Sequence, residues 1–169
     1  METVGILGVL ILGVLALAVA ELRTRQRAQQ ATVNYLIPGK DDEPLTPRET
    51  FVAGVNHVGL CGEHRQNVIA GLRKKEAIYL VRQADNPHDL NAVILYSAKG
   101  KDIGFLPRET AMEIAPRLDK GSPVTATVLT VERFETEEGR SLLGVRLRIV
   151  PHKLRRGMVH PAKSGPPPS

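Results

Sequence analysis

Tryptophan is absent from the 169 residues, and phenylalanine and tyrosine occur three times each. A core must then be built mainly from Val, Leu and Ile, a palette that suits a small β-rich domain. Cysteine occurs once, as Cys61, which excludes an internal disulfide framework and a Cys-rich zinc site. No glycine-rich phosphate loop, Walker lysine or nucleophile elbow is present, and no nucleophile stands with a base in a recognisable motif. The chain therefore reads as a binding protein rather than an enzyme, with no cofactor and no metal.

The net charge is +5, but it is not spread over the chain. Glu2 and Glu21 against Arg23, Arg25 and Arg27 leave the first thirty residues at +1, and Lys153, Arg155, Arg156 and Lys163 put +4 after position 150. The 120 residues between sum to zero. Phosphate-driven, salt-sensitive coating of a duplex is thus disfavoured for the central part.

Val4 to Ala20, "VGILGVLILGVLALAVA", carries no charged side chain. As a helix it would be about 26 Å long, enough to span a bilayer with little tilt. "AVA" before Glu21 also resembles a signal-peptide cleavage site, but a signal peptide has a basic front end, and here Glu2 precedes the run while three Arg follow it. The reading is a single-pass anchor over residues 1–22, amino terminus outside and carboxyl side cytoplasmic by the positive-inside rule. Residues 23–49 read as a juxtamembrane segment and linker, and residues 151–169, basic and then Pro-rich, as a disordered tail.

Residues 50–150 have the pattern of one folded unit. "TFVAGVNHVGLCG" reads as a long strand ending near Gly62, and "HRQNVIAGLRKK" as a short amphipathic helix. "EAIYLVRQ" and "NAVILYS" are strands, and "AKGKD" turns into a third, "IGFLP". "PRETAMEIAPRLDKG" is a helix with Pro107 at its start and Gly121 past its end, and Pro116 should bend it. "PVTATVLTVERF" and "RSLLGVRLRIV" alternate as a hairpin with Glu137, Glu138 and Gly139 at its tip. The order is α+β, and a curled, mostly antiparallel sheet of about six short strands with two short helices is the compact way to bury it.

Between two of those strands lies "DNPHDLNA", Asp85 to Ala92. Asp and Asn build turns by bonding their own backbone, and Pro fixes the entry, so a turn alone explains the composition. The alternative is a turn that also holds a ligand. With "IGFLP" downstream at the right spacing, the stretch resembles the HIRAN domain, best known from SWI/SNF-type fork-remodelling helicases and also found alone in bacterial proteins. The resemblance covers roughly residues 50–150 and lacks any helicase motor.

The resemblance implies an OB-like barrel and a grip on the 3′-hydroxyl end of single-stranded DNA, with Asn86, His88 and Asp89 in the loop that holds the last nucleotide. An ionised Asp only accepts hydrogen bonds, so it favours a free hydroxyl over a phosphate. Helicase-linked members have Tyr where His88 stands, and an Arg-Tyr-Tyr run after a first-strand Gly that aligns here with Gly54 or with Gly62. His57 or His64 then supplies the second ring, with Arg65 beside it. Arg65, Lys74, Lys75, Arg82 and Lys99 are candidates for backbone phosphates.

His57, Cys61 and His64 could also converge on a metal, but no fourth ligand follows in a motif, so a buried Cys and surface His are the simpler reading. Glu135, Glu137 and Glu138 fall at a hairpin tip, too solvated to split their pKa values as catalytic carboxylates must. The expected partners are a single-stranded nucleic-acid end and the membrane. The alternative function is a membrane-localised adaptor whose barrel binds a peptide or protein.

Overall fold

The two segments that alternate most regularly form the longest strands. β7 (Val124–Glu135) and β8 (Ser141–Lys153) pair antiparallel from Val124↔Pro151 to Glu135↔Ser141, with a shift of register between Val128 and Thr130. Gly139 turns the tip at φ +73°, where a residue with a Cβ would be strained. Val124, Ala126 and Val128 on one strand, and Val145, Leu147 and Ile149 on the other, send their side chains into the core.

The computed structural model describes residues 33–35, 38–39, 42–153 and 163–165. Around the hairpin stand β2 (Glu43–Pro44), β3 (Arg48–Phe51), β4 (Ala77–Arg82), β5 (Val93–Ser97) and β6 (Asp102–Phe105). They make one antiparallel sheet of seven strands in the order β2-β8-β7-β4-β5-β6, with β3 beside β2 on the same edge of β8. The sheet curls but does not close into the expected barrel. A single bridge spans the seam: Ala53 N donates to Phe105 O at 2.8 Å and Phe105 N to Ala53 O at 3.0 Å.

The seam is tight because of Gly104, at φ +141°: a Cβ there would stand 2.3 Å from Ala53 O. That is the glycine of the "IGFLP" block. The expected strand from Thr50 to Gly62 ends instead at Phe51. Gly54, at φ +72°, reverses the chain, and the rest is a loop with isolated bridges at Ala53 and Val58. β-branched residues made the segment look extended, but the backbone at Gly54 is left-handed.

α1 (Arg65–Ala70) is shorter than expected, ending at Gly71, where a helix interior costs about 1 kcal/mol relative to Ala. Its Ile69 is fully buried, a gain of about 1.5–3 kcal/mol. α2 (Arg108–Asp119) runs through Pro116 as one element rather than breaking there. Pro116 gives up its own N–H bond to the carbonyl of Met112, and the helix continues to Asp119 beyond it. Ala111, Ile114 and Ala115 of α2 pack into the same core as Leu80, Val93, Leu95 and Ile103.

β2, β3 and β8 carry the folded unit from Glu43 to Lys153. A separate two-stranded ladder joins β1 (Val33–Tyr35) to β9 (Lys163–Gly165), within segments expected as linker and tail. The apolar run Val4 to Ala20 lies outside the described residues. Among the described residues no helix is long and apolar enough to cross a membrane.

Candidate functional site

The loop between β4 and β5 uses its polar side chains first on itself. Asn86 Oδ1 accepts from His88 N at 2.9 Å and from Asp89 N at 3.2 Å, and its Nδ2 donates to Gln83 Oε1 at 2.9 Å. Asp89 Oδ1 accepts from Asn91 N at 2.8 Å. Gln83 N to Ala92 O, at 2.9 Å, closes the neck. Behind the loop Arg82 donates to Ala92 O, to Leu90 O and to Asp119 Oδ1, so this candidate phosphate ligand is a brace. The turn-building account is therefore correct as far as it goes.

It leaves a remainder. The second oxygen of Asp89, Oδ2, makes no hydrogen bond within the loop and faces Arg108 Nε at 3.7 Å, beyond hydrogen-bonding distance. Arg108 Nη2 reaches His88 O at 3.4 Å, and the guanidinium is otherwise in solvent, its side chain 73% exposed. The His88 ring is exposed as well. One carboxylate oxygen, one guanidinium and one imidazole thus stand at the mouth of a loop whose backbone is fixed. Arg108 was not singled out from the sequence. Its signal was its place directly after "IGFLP", where Pro107 starts α2.

His57, His64 and Arg65 form a second group. Arg65 is buried, its Nε 2.8 Å from Asp102 Oδ2, with the two side chains 5% and 2% exposed. Its Nη1 donates to Gly54 O at 2.9 Å and its guanidinium lies 5.1 Å from the centroid of the Phe105 ring. Asp102 Oδ1 accepts from Leu60 N at 2.9 Å. Arg65 thus clamps the loop after β3 to the edge strand β6 and presents no free guanidinium at the surface. His64 caps α1 through Nδ1, 3.4 Å from Gln66 N, and His57 is exposed beside Gly54.

No hydrogen bond or ion pair among the described residues joins the two groups. What lies between them is the run Phe105 to Arg108, bridged to Ala53 at one end and touching His88 and Asp89 at the other. Lys74 and Lys75 precede β4, and Lys99 follows β5, at the ends of those strands opposite the loop and about 16 Å along the sheet. Among the described residues no three His, Cys, Asp or Glu side chains converge as metal ligands. Cys61 is exposed, and its thiol is pushed up by partial burial and then by the Asp102 carboxylate.

Comparison with known proteins gives one family. The model of the HIRAN domain matches residues 49–144. Of solved structures, one of a protein from Lactobacillus plantarum is 20% identical with a TM-score of 0.48, covering 66% of this chain and 98% of that one. The HIRAN domain of human HLTF is 19% identical with a TM-score of 0.45, covering 65% of this chain and 79% of that one. No curated protein matches.

Proposed function

Because the chain belongs to the HIRAN domain family, we propose that the mouth of the Asp85–Asn91 loop, with Arg108, receives the 3′-hydroxyl end of a single-stranded nucleic acid. The observation that carries this is the division of labour within Asp89. Oδ1 is fixed by Asn91 N, while Oδ2 makes no hydrogen bond within the loop and faces Arg108 Nε at 3.7 Å. A carboxylate so held accepts a hydrogen bond from a terminal hydroxyl and repels a terminal phosphate. Arg108, just beyond hydrogen-bonding distance, can turn to the last internucleotide phosphate. The exposed His88 ring offers a face to the terminal base, and Asn86 holds the loop in shape.

The module binds rather than transforms its ligand, and its affinity is local rather than electrostatic. The apolar run at Val4 to Ala20 would fix it to a membrane with the domain on the cytoplasmic side. Fluorescence anisotropy of the full chain in mild detergent, with labelled strands ending in 3′-hydroxyl or 3′-phosphate, tests the site. Preference for the hydroxyl with a log–log salt slope of about −0.7 to −1.4, one or two phosphates, is the expected result. Equal and steeply salt-dependent binding, or none, would overturn it.

A further inference from the structure

A cavity of about 330 Å3 opens where β3 and the turn after it stand away from the far half of the β7–β8 hairpin. That is at the small end of the roughly 300–1,000 Å3 typical of ligand pockets, room for one ring system rather than a chain. Val52, Val55 and Val145 make its floor apolar. Gly144 keeps it open: a Cβ at that position would come within 3.1 Å of the Phe134 ring. Phe134 remains 43% exposed in a protein with only three phenylalanines. An aromatic ring left partly in water beside an apolar cavity is a stacking surface without its partner.

Two polar groups stand at the same opening. The Arg146 guanidinium lies 4.9 Å from the centroid of Phe51, and its Nε is buried with no hydrogen-bond partner. A buried donor left unpaired is unfavourable, and an acceptor placed in the cavity would relieve it. Glu132, the register partner of Gly144, has Oε1 held by the Thr130 hydroxyl at 2.7 Å, and its Oε2 is 3.7 Å from Arg146 Nη2. A donor and an acceptor thus stand side by side next to an aromatic face.

We propose that this cavity binds an unpaired nucleobase, stacked on Phe134, with an acceptor of its Watson–Crick edge on Arg146 and an adjacent donor of that edge on Glu132. Every base offers a donor next to an acceptor on that edge, and in a duplex both are occupied by the complementary strand. The site therefore discriminates single from paired strands without reading sequence. Its residues lie outside the Asp89 loop, so it is a second point of contact. It depends on the end-binding reading only for the strand as the source of the base.

Two measurements on the full chain in mild detergent separate the readings. In the first, anisotropy is followed with thymidine strands in which one nucleotide at a time is replaced by an abasic spacer or by N3-methylthymidine. One interior position should lose affinity roughly five- to a hundred-fold with either replacement, the span of a single base stack. Phe134→Ala, at an exposed position, should erase that dependence, and Asp89→Asn should leave it in place. In the second, thymidine nucleoside is added while the amide resonances of Phe134, Gly144 and Val145 are observed by NMR. Shifts there without strand binding would uphold the base site, assign it to free nucleosides and reject the end pocket. A flat abasic scan together with unmoved resonances would overturn the inference, whatever the strands do at Asp89.

Discussion

The side-chain amide of Gln66 meets the backbone of Leu143 in both directions, Nε2 donating to Leu143 O at 3.0 Å and Leu143 N donating to Oε1 at 2.7 Å. A carboxamide has the shape of a peptide group, so a residue of α1 completes the edge of β8 where β3 has already ended. Nε2 also donates to Val55 O at 3.0 Å, which ties the loop after β3 to the same point. Gln66→Ala leaves three part-buried backbone groups unpaired and should cost about 2–3 kcal/mol, read as a lowered urea midpoint with unchanged slope. Gln66→Glu keeps the acceptor for Leu143 N but sets a carboxylate oxygen against the carbonyls of Val55 and Leu143, and should cost at least as much at neutral pH.

Arg65 and Asp102 form a buried pair with further bonds to Gly54 O and Leu60 N. Removing one partner strands the other charge. Asp102→Ala and Arg65→Ala should therefore each destabilise by about 3–5 kcal/mol, and the double variant by much less than the sum. Additive losses in a double-mutant cycle would mean that the two side chains act separately.

Gly104→Ala places a methyl where Ala53 O now sits and strains a φ of +141°. The substitution should open the seam before it unfolds the sheet. Amide exchange at Ala53 and Phe105 should speed up by at least tenfold while the amides of the β7–β8 ladder stay protected.

At the loop, Asp89→Asn keeps an oxygen for Asn91 N and replaces the second carboxylate oxygen with an amide donor. Discrimination between 3′-hydroxyl and 3′-phosphate ends should fall about tenfold with little change in melting temperature. Asp89→Ala is the poorer probe, because it also removes the bond to Asn91. Arg108→Ala should lower affinity for both ends alike and flatten the log–log salt slope by about 0.7.

Tyr96 is buried on the outer face of β5 against Ile94, and burial, helped by the Asp102 carboxylate, pushes its hydroxyl up to about 12. The unfolded value is near 10, so the neutral ring stabilises the fold fully below pH 10, and that stability is lost as pH rises toward 12. Absorbance titration should show a tyrosine step near pH 12 that Tyr96→Phe abolishes.

Most of this architecture could be read from alternation and turn residues. The β7–β8 hairpin, β4, β5, β6 and α2 stand where alternation, apolar runs and turn or helix-end residues put them, although β5 is buried on both faces and so carries no alternation. The loop after β3 could not be read so. "TFVAGVNHVG" has the composition of a strand, and only a backbone at Gly54 with positive φ shows that it turns. Arg65 looked like a surface cation, since charge in a sequence says nothing of a carboxylate thirty-seven positions away. Arg108 was missed for the opposite reason: nothing distinguishes a helix-initial arginine until the loop it faces is in place.

The single bridge between Ala53 and Phe105 divides the two candidate groups, His57 on one lip and His88, Asp89 and Arg108 beyond the other. A closed barrel would spread any local strain over a full ladder, whereas here the backbone at the seam is joined by two hydrogen bonds, with the Arg65–Asp102 pair as a side-chain clamp beside them. The ring can breathe at that point while the β7–β8 hairpin stays paired. A strand end threaded across both lips would act as a staple, and the protein's slowest amide exchange at the seam should then belong to its loaded form.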